Sequence, residues 1–101
     1  MFVKVYRYKI KESDLEESRR ISKDADLIYA TYGRDKEPIT LYKKVNDLVE
    51  VLLIEFYNSK KDYEILISKV NNDYRIKELW NSFIEFVYKT EVKEEEFETL
   101  D

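Results

Sequence analysis

The chain has 101 residues, 44% apolar and 40% charged, with a net charge of −4, one Gly, one Pro and neither Cys nor His. That length supports a single domain, residues 1–101, with its own core, and the lack of Cys excludes a disulfide framework and thiol chemistry. The lack of His excludes Ser-His-Asp and Cys-His catalysis and removes the commonest general base, zinc ligand and proximal haem ligand.

FVKVYRYKI, residues 2–10, reads as a first strand with Phe2, Tyr6, Tyr8 and Ile10 on one face and Val3 and Val5 on the other. Ser13 opens a helix through a capping box with Glu16. Leu15, Ser18, Ser22, Ala25, Ile28, Tyr29 and Tyr32 then form its inward stripe, and Glu16 and Arg20 are spaced for an ion pair. Gly33, the only glycine, stands where a left-handed helix cap is needed. PITLYKKV, from Pro38, is a second strand, and Asn46-Asp47 turns the chain into a third, Leu48 to Tyr57. Ser59 caps the next helix, which Asn71-Asn72-Asp73 divides, Asp73 capping the second part. There Ile76, Leu79, Trp80, Phe83, Ile84 and Val87 recur at helical spacing. A last strand, about Val92 to Thr99, is rich in Glu, a weak strand former.

The order β-α-β-β-α-β with a right-handed crossover predicts an α+β, ferredoxin-like fold: a four-stranded antiparallel sheet ordered 4-1-3-2, with both helices on one face. The third strand, LVEVLLIEFY, is apolar on both parities. Leu48, Leu52, Ile54 and Phe56 are expected to face one way and Val49, Val51 and Leu53 the other. Two helices cover one face only. Val3, Val5, Val49, Val51 and Leu53 are therefore the expected interface of a homodimer packed sheet to sheet, because apolar patches of that kind mark interfaces.

The acidic segment at 91–101 holds six acids and one base, Lys93, and leaves a nearly neutral body in which acids and bases are interspersed. A nucleic-acid binder needs a net basic face, so no nucleic acid is expected as partner. No apolar run approaches the roughly 20 residues of a membrane span, and Phe2–Val5 is too short and too charged for a signal peptide. A cytoplasmic protein without a membrane partner is the expectation. Glu94, Glu96 and Glu98 share one strand face and suit edge protection better than metal binding, for lack of a converging ligand from elsewhere. No metal and no cofactor is expected.

The opening FVKVYRYKI, the segment VLLIEFYNSKKDYEIL and DYRIKELWNSFIEFV together resemble the dimeric α+β barrel superfamily, specifically its antibiotic-biosynthesis-monooxygenase-like domains. The resemblance covers nearly the whole chain. It implies a barrel formed by two sheets at a dimer interface and a cleft between sheet and helices in each protomer. Its haem-degrading branch carries an Asn on the first strand, a Trp ending the third and an axial His on the second helix. Tyr6, Phe56 and Trp80 stand at those positions here, so haem degradation is not implied. Its cofactor-free monooxygenases orient phenolic substrates and help remove a proton. The resemblance thus implies a candidate cleft for a small aromatic or apolar ligand, walled by Tyr6, Tyr8, Tyr29, Phe56, Trp80 and Phe83. The same aromatics, at helix and strand spacing, also fit a packed core. Three readings stand: a small-ligand protein, a cofactor-free monooxygenase acting on an aromatic substrate, and a purely structural or partner-binding subunit.

Overall fold

A computed structural model describes residues 1–100. Strand β1 (Phe2–Lys11) leads through a 3-10 turn at Glu12–Asp14 into helix α1 (Leu15–Thr31). Strands β2 (Ile39–Val45) and β3 (Leu48–Tyr57), helices α2 (Lys60–Val70) and α3 (Tyr74–Ile84), and strand β4 (Lys93–Glu98) follow. All strand pairs are antiparallel and the sheet runs β2-β3-β1-β4, which is the expected ferredoxin-like order. No helix among the described residues is long and apolar enough to cross a membrane.

Local chemistry explains most boundaries. Gly33 has φ +111°, where a side chain would be strained, and ends α1 as a left-handed cap. Asn46, at φ 60°, forms the two-residue turn that pairs Val45 with Leu48. Ser59 Oγ accepts from the Asp62 amide at 3.1 Å, and Asp73 Oδ1 accepts from the Arg75 amide at 2.9 Å, so both capped starts form as the sequence indicates. The Ser13 capping box does not form. Ser13 lies inside the 3-10 turn, and Asp14 precedes α1 without a side-chain cap. Arg20 pairs with Glu17 and Asp24 rather than Glu16. The buried stripe of α1 is Ser18, Ile21 and Ile28, at three- and seven-residue steps.

All three helices pack on one sheet face. One cluster joins Tyr8, Ile10, Val49 and Val51 of the sheet to Ile21 of α1, Phe83 of α3 and Val87. A second joins Phe2 and Tyr57 to Leu66 and Val70 of α2. The register of β1 with β3 corrects the expected faces. Phe2 stands opposite Tyr57, Tyr6 opposite Leu53, Tyr8 opposite Val51 and Ile10 opposite Val49. Directly opposed residues of an antiparallel pair share a face. Val49, Val51 and Leu53 therefore point toward the helices, not away, and Val49 and Val51 are core residues. Phe56 pairs with Val3 and points away from the helices.

The face without helices carries Val3 and Val5 as expected, joined by Leu52, Ile54 and Phe56 of β3, Ile39 and Leu41 of β2, and Phe97 of β4. Val5 is sheltered between its neighbours, whereas Leu41 and Phe97 are each 52% exposed. Sheet pairing alone brings these eight side chains into contiguous rows.

Candidate functional site

A cleft of about 1160 Å³ opens between the helices and the sheet. Its sheet wall is Tyr6 and Tyr8 of β1 with Val51, Leu53 and Glu55 of β3; Asp26 and Tyr29 of α1, Tyr63 of α2, and Trp80 and Phe83 of α3 close the other sides. Arg34, in the loop after α1, and Glu94, on β4, also border it.

Five of the six aromatics expected there are brought together. Tyr8 and Phe83 are buried and meet edge to face at 5.0 Å, so they support the cleft as core. Tyr6 and Tyr29 are half-buried walls. Trp80 leans on Phe83 at 5.9 Å and stays 47% exposed at the mouth, so it is a rim residue rather than plain core. Phe56 is the exception: its register places it on the opposite face of the sheet, and it does not line the cleft.

The polar centre of the site was not among the residues picked out from the sequence. Glu55 is buried, its side chain only 6% exposed, and lines the cleft. Arg34 Nη1 donates to Glu55 Oε2 at 3.3 Å, and the Tyr57 hydroxyl donates to Oε1 at 3.0 Å. Arg34 Nη2 donates to Asp26 Oδ1 at 3.0 Å, and the guanidinium lies 5.1 Å from the Tyr29 ring centre. On the same sheet face, Lys4 stands directly opposite Glu55 and donates to Glu96 Oε1 at 3.4 Å. Among the described residues no buried side-chain nitrogen or oxygen lacks a hydrogen-bond partner.

Burial dominates the electrostatics. It pushes the Glu55 carboxyl up to about 7, against the opposing pull of Arg34 and the Tyr57 hydroxyl. Burial also raises Asp26, again against Arg34. The hydroxyls of Tyr6, Tyr29 and Tyr57 are raised, by burial first and by Glu55 second, and remain protonated donors. For Lys4, burial works against the charge, but Tyr63, Glu94 and Glu96 outweigh it and its affinity for the proton rises. The site therefore combines an apolar, aromatic lining with one carboxyl able to take up or release a proton near neutrality. Among the described residues no cluster of metal-ligating side chains is present.

The signal for Glu55 was its parity. It alternates with Val49, Val51, Leu53 and Tyr57, so once that set is inward Glu55 must be inward too. Arg34 follows the helix cap in a loop, where periodicity carries no information.

Fold and cleft together define an α+β domain with a ferredoxin-like antiparallel sheet, a fold shared with solved proteins described as antibiotic biosynthesis monooxygenases and as NIPSNAP family proteins. Among solved structures, the chain is similar to a NIPSNAP family protein from Agrobacterium tumefaciens, with a TM-score of 0.72 and 14% identity over 99% of this chain and 93% of that one. It is similar to an uncharacterised NIPSNAP domain protein from Burkholderia xenovorans, at 0.70 and 15% over 99% and 95%. A Nitrosomonas europaea protein assigned provisionally as an antibiotic biosynthesis monooxygenase matches at 0.73 and 12% over the full length of both chains. No protein-family model and no curated protein sequence matches the chain. At these identities the likeness is one of fold.

Proposed function

We propose that this chain is a homodimeric α+β barrel protein that binds a small aromatic or apolar molecule in the cleft between its sheet and helices. The observation that carries the reading is the cleft itself. It is open, walled by Tyr6, Tyr29 and Trp80, and backed by a core that Tyr8 and Phe83 fill without closing it. Pockets of this kind, apolar with a few convergent polar groups, are the usual form of small-molecule sites. An open cleft beside Tyr6 and Trp80 weighs against a purely structural subunit.

Pairing through the other face of the sheet rests on the rows of Ile39, Leu41, Leu52, Ile54, Val3 and Phe97. Each such side chain gains on the order of 1.5–3 kcal/mol when fully buried. A second copy, placed by a twofold axis, buries all of the rows at once and needs no other partner. The residues that make the contact are those of the observed open face, with Val3 and Val5 retained from the sequence expectation.

Trp80, the only tryptophan, reports on occupancy from the mouth of the cleft. Titration with planar apolar probes such as naphthalene and indole is expected to change its fluorescence saturably, with one site per protomer. No saturable change with any probe contradicts the reading.

A second reading, a cofactor-free monooxygenase acting on an aromatic substrate, draws on Glu55. A carboxyl held near 7 within the cleft is suited to take a proton from a bound phenol. Oxygen uptake during aerobic incubation with an anthrone-like phenol tests it. Uptake abolished by Glu55→Gln supports it, and no uptake by the wild-type protein ends it.

A further inference from the structure

We propose that the cleft selects organic cations, a protonated amine on an aromatic or apolar body, over organic anions, with Glu55 accepting a hydrogen bond from the ammonium group. The inference rests on the ligand-cleft reading above and specifies the charge of what the cleft holds.

The charged lining of the cleft is balanced as a whole, Asp26, Asp35, Glu37, Glu55 and Glu94 against Arg19, Lys23, Arg34, Lys36 and Lys77. Beside the buried Glu55, however, the cations are two: Arg34, which pairs with it, and Lys4, which stands opposite it on β1. Neither cation is free for Glu55 alone. Arg34 divides its guanidinium between Glu55 and Asp26, and Lys4 bonds Glu96. Burial therefore outweighs what the protein itself offers the Glu55 carboxylate, as its raised proton affinity reflects.

Glu55 also keeps capacity for another donor. Each of its oxygens has one protein partner, Tyr57 on Oε1 and Arg34 on Oε2. A carboxylate oxygen can accept two hydrogen bonds. An ammonium group arriving through the cleft finds an acceptor and supplies positive charge where local screening by water is weak. A carboxylate ligand brought to the same position meets the carboxylates of Glu55 and Asp26. There the Arg34 guanidinium is already engaged through both outer nitrogens. The aromatic walls serve the rest of the ligand: Tyr6, Tyr29 and Trp80 offer ring surface to an apolar body and ring faces to its cationic end.

Calorimetric titration of the full chain at pH 8 and low ionic strength with tryptamine, indole-3-propionate and indole tests this. The first two share an aromatic body and differ in the sign of the charge. Tryptamine is expected to bind at least 10-fold more tightly than indole-3-propionate, and Glu55→Gln to reduce that ratio about 10-fold. Asp26→Asn, which changes a partly exposed group, is a second variant expected to lower the ratio and keeps the test decisive if Glu55→Gln does not fold. Equal or tighter binding of the propionate, or a ratio unchanged in the folded variants, overturns the charge selection. Indole bound without either charged probe does the same while leaving the ligand cleft standing. Failure of all three probes overturns both.

Discussion

Glu55 makes the stability of this protein depend on pH in a direction opposite to that of most carboxylates. Its carboxyl is pushed to about 7 by burial, from an ordinary value of 4.5. A group whose affinity for the proton rises on folding stabilises the folded state while it is protonated, and this contribution is complete below 4.5. It is lost as pH rises through the interval from 4.5 to 7, because the folded chain must then hold a buried charge that the unfolded chain holds in water. The interval of 2.5 pH units corresponds to about 3 kcal/mol at roughly 1.36 kcal/mol per unit. Glu55→Gln keeps the shape and removes the titration, so the comparison isolates this group from Glu17 and Asp73, whose carboxyls shift downward through their partners Arg20 and Arg75. Urea unfolding of both proteins, followed by Trp80 fluorescence and circular dichroism between pH 4.5 and 8, measures the difference. The wild-type protein is expected to lose about 3 kcal/mol relative to the variant across that range. A constant difference, or one that grows in favour of the wild type with rising pH, refutes the argument that burial outweighs Arg34 and Tyr57 at this site.

Further outcomes follow from packing and capping. Phe83→Ala removes a buried ring that Tyr8 meets edge-on, and is expected to cost about 3–5 kcal/mol in chemical unfolding. Trp80→Ala, at the rim, is expected to cost less than half as much while lowering affinity for an aromatic probe. Ser59→Ala deletes the acceptor at the start of α2 and is expected to cost about 1 kcal/mol in the same assay. Ile54→Asp places a charge in the middle of the open sheet face and is expected to give a folded monomer, seen as a halved mass with an unchanged circular dichroism spectrum.

The bounds of β3, the Asn46-Asp47 turn and the restart of the helix at Asp73 were legible because each rests on local chemistry: an apolar run, a tight turn, a side-chain cap. The sheet order was legible from the element order and the handedness of the crossover. The orientation of β3 was not. Between Leu48 and Ile54 both parities are apolar, so periodicity gives two equal answers. Only the long-range pairing of Phe2 with Tyr57 decides between them. That one decision moved Val49, Val51 and Leu53 into the helix-facing layer and sent Phe56 out of the cleft. It also brought in Glu55, which looks like a solvent-facing charge until its row is known to be buried. Ser13 shows the converse: a sound local signal gave way because the chain leaves β1 through a tighter turn. Tyr6, Tyr8, Tyr29 and Phe83 line the cleft because periodicity places them on the inward faces of β1, α1 and α3, although the expected stripe of α1 left out the buried Ile21. Arg34 belongs to a loop and becomes visible only once Glu55 is seen to need a partner.

The most direct test of the paired-barrel account is the mass of the protein in solution at micromolar concentration, by light scattering after size exclusion. Twice the 12.3 kDa chain mass is predicted, falling to a single chain mass in Ile54→Asp. A wild-type protein that elutes as a folded monomer contradicts the account, since its row of Leu41, Leu52, Ile54 and Phe97 then stands in water without a partner.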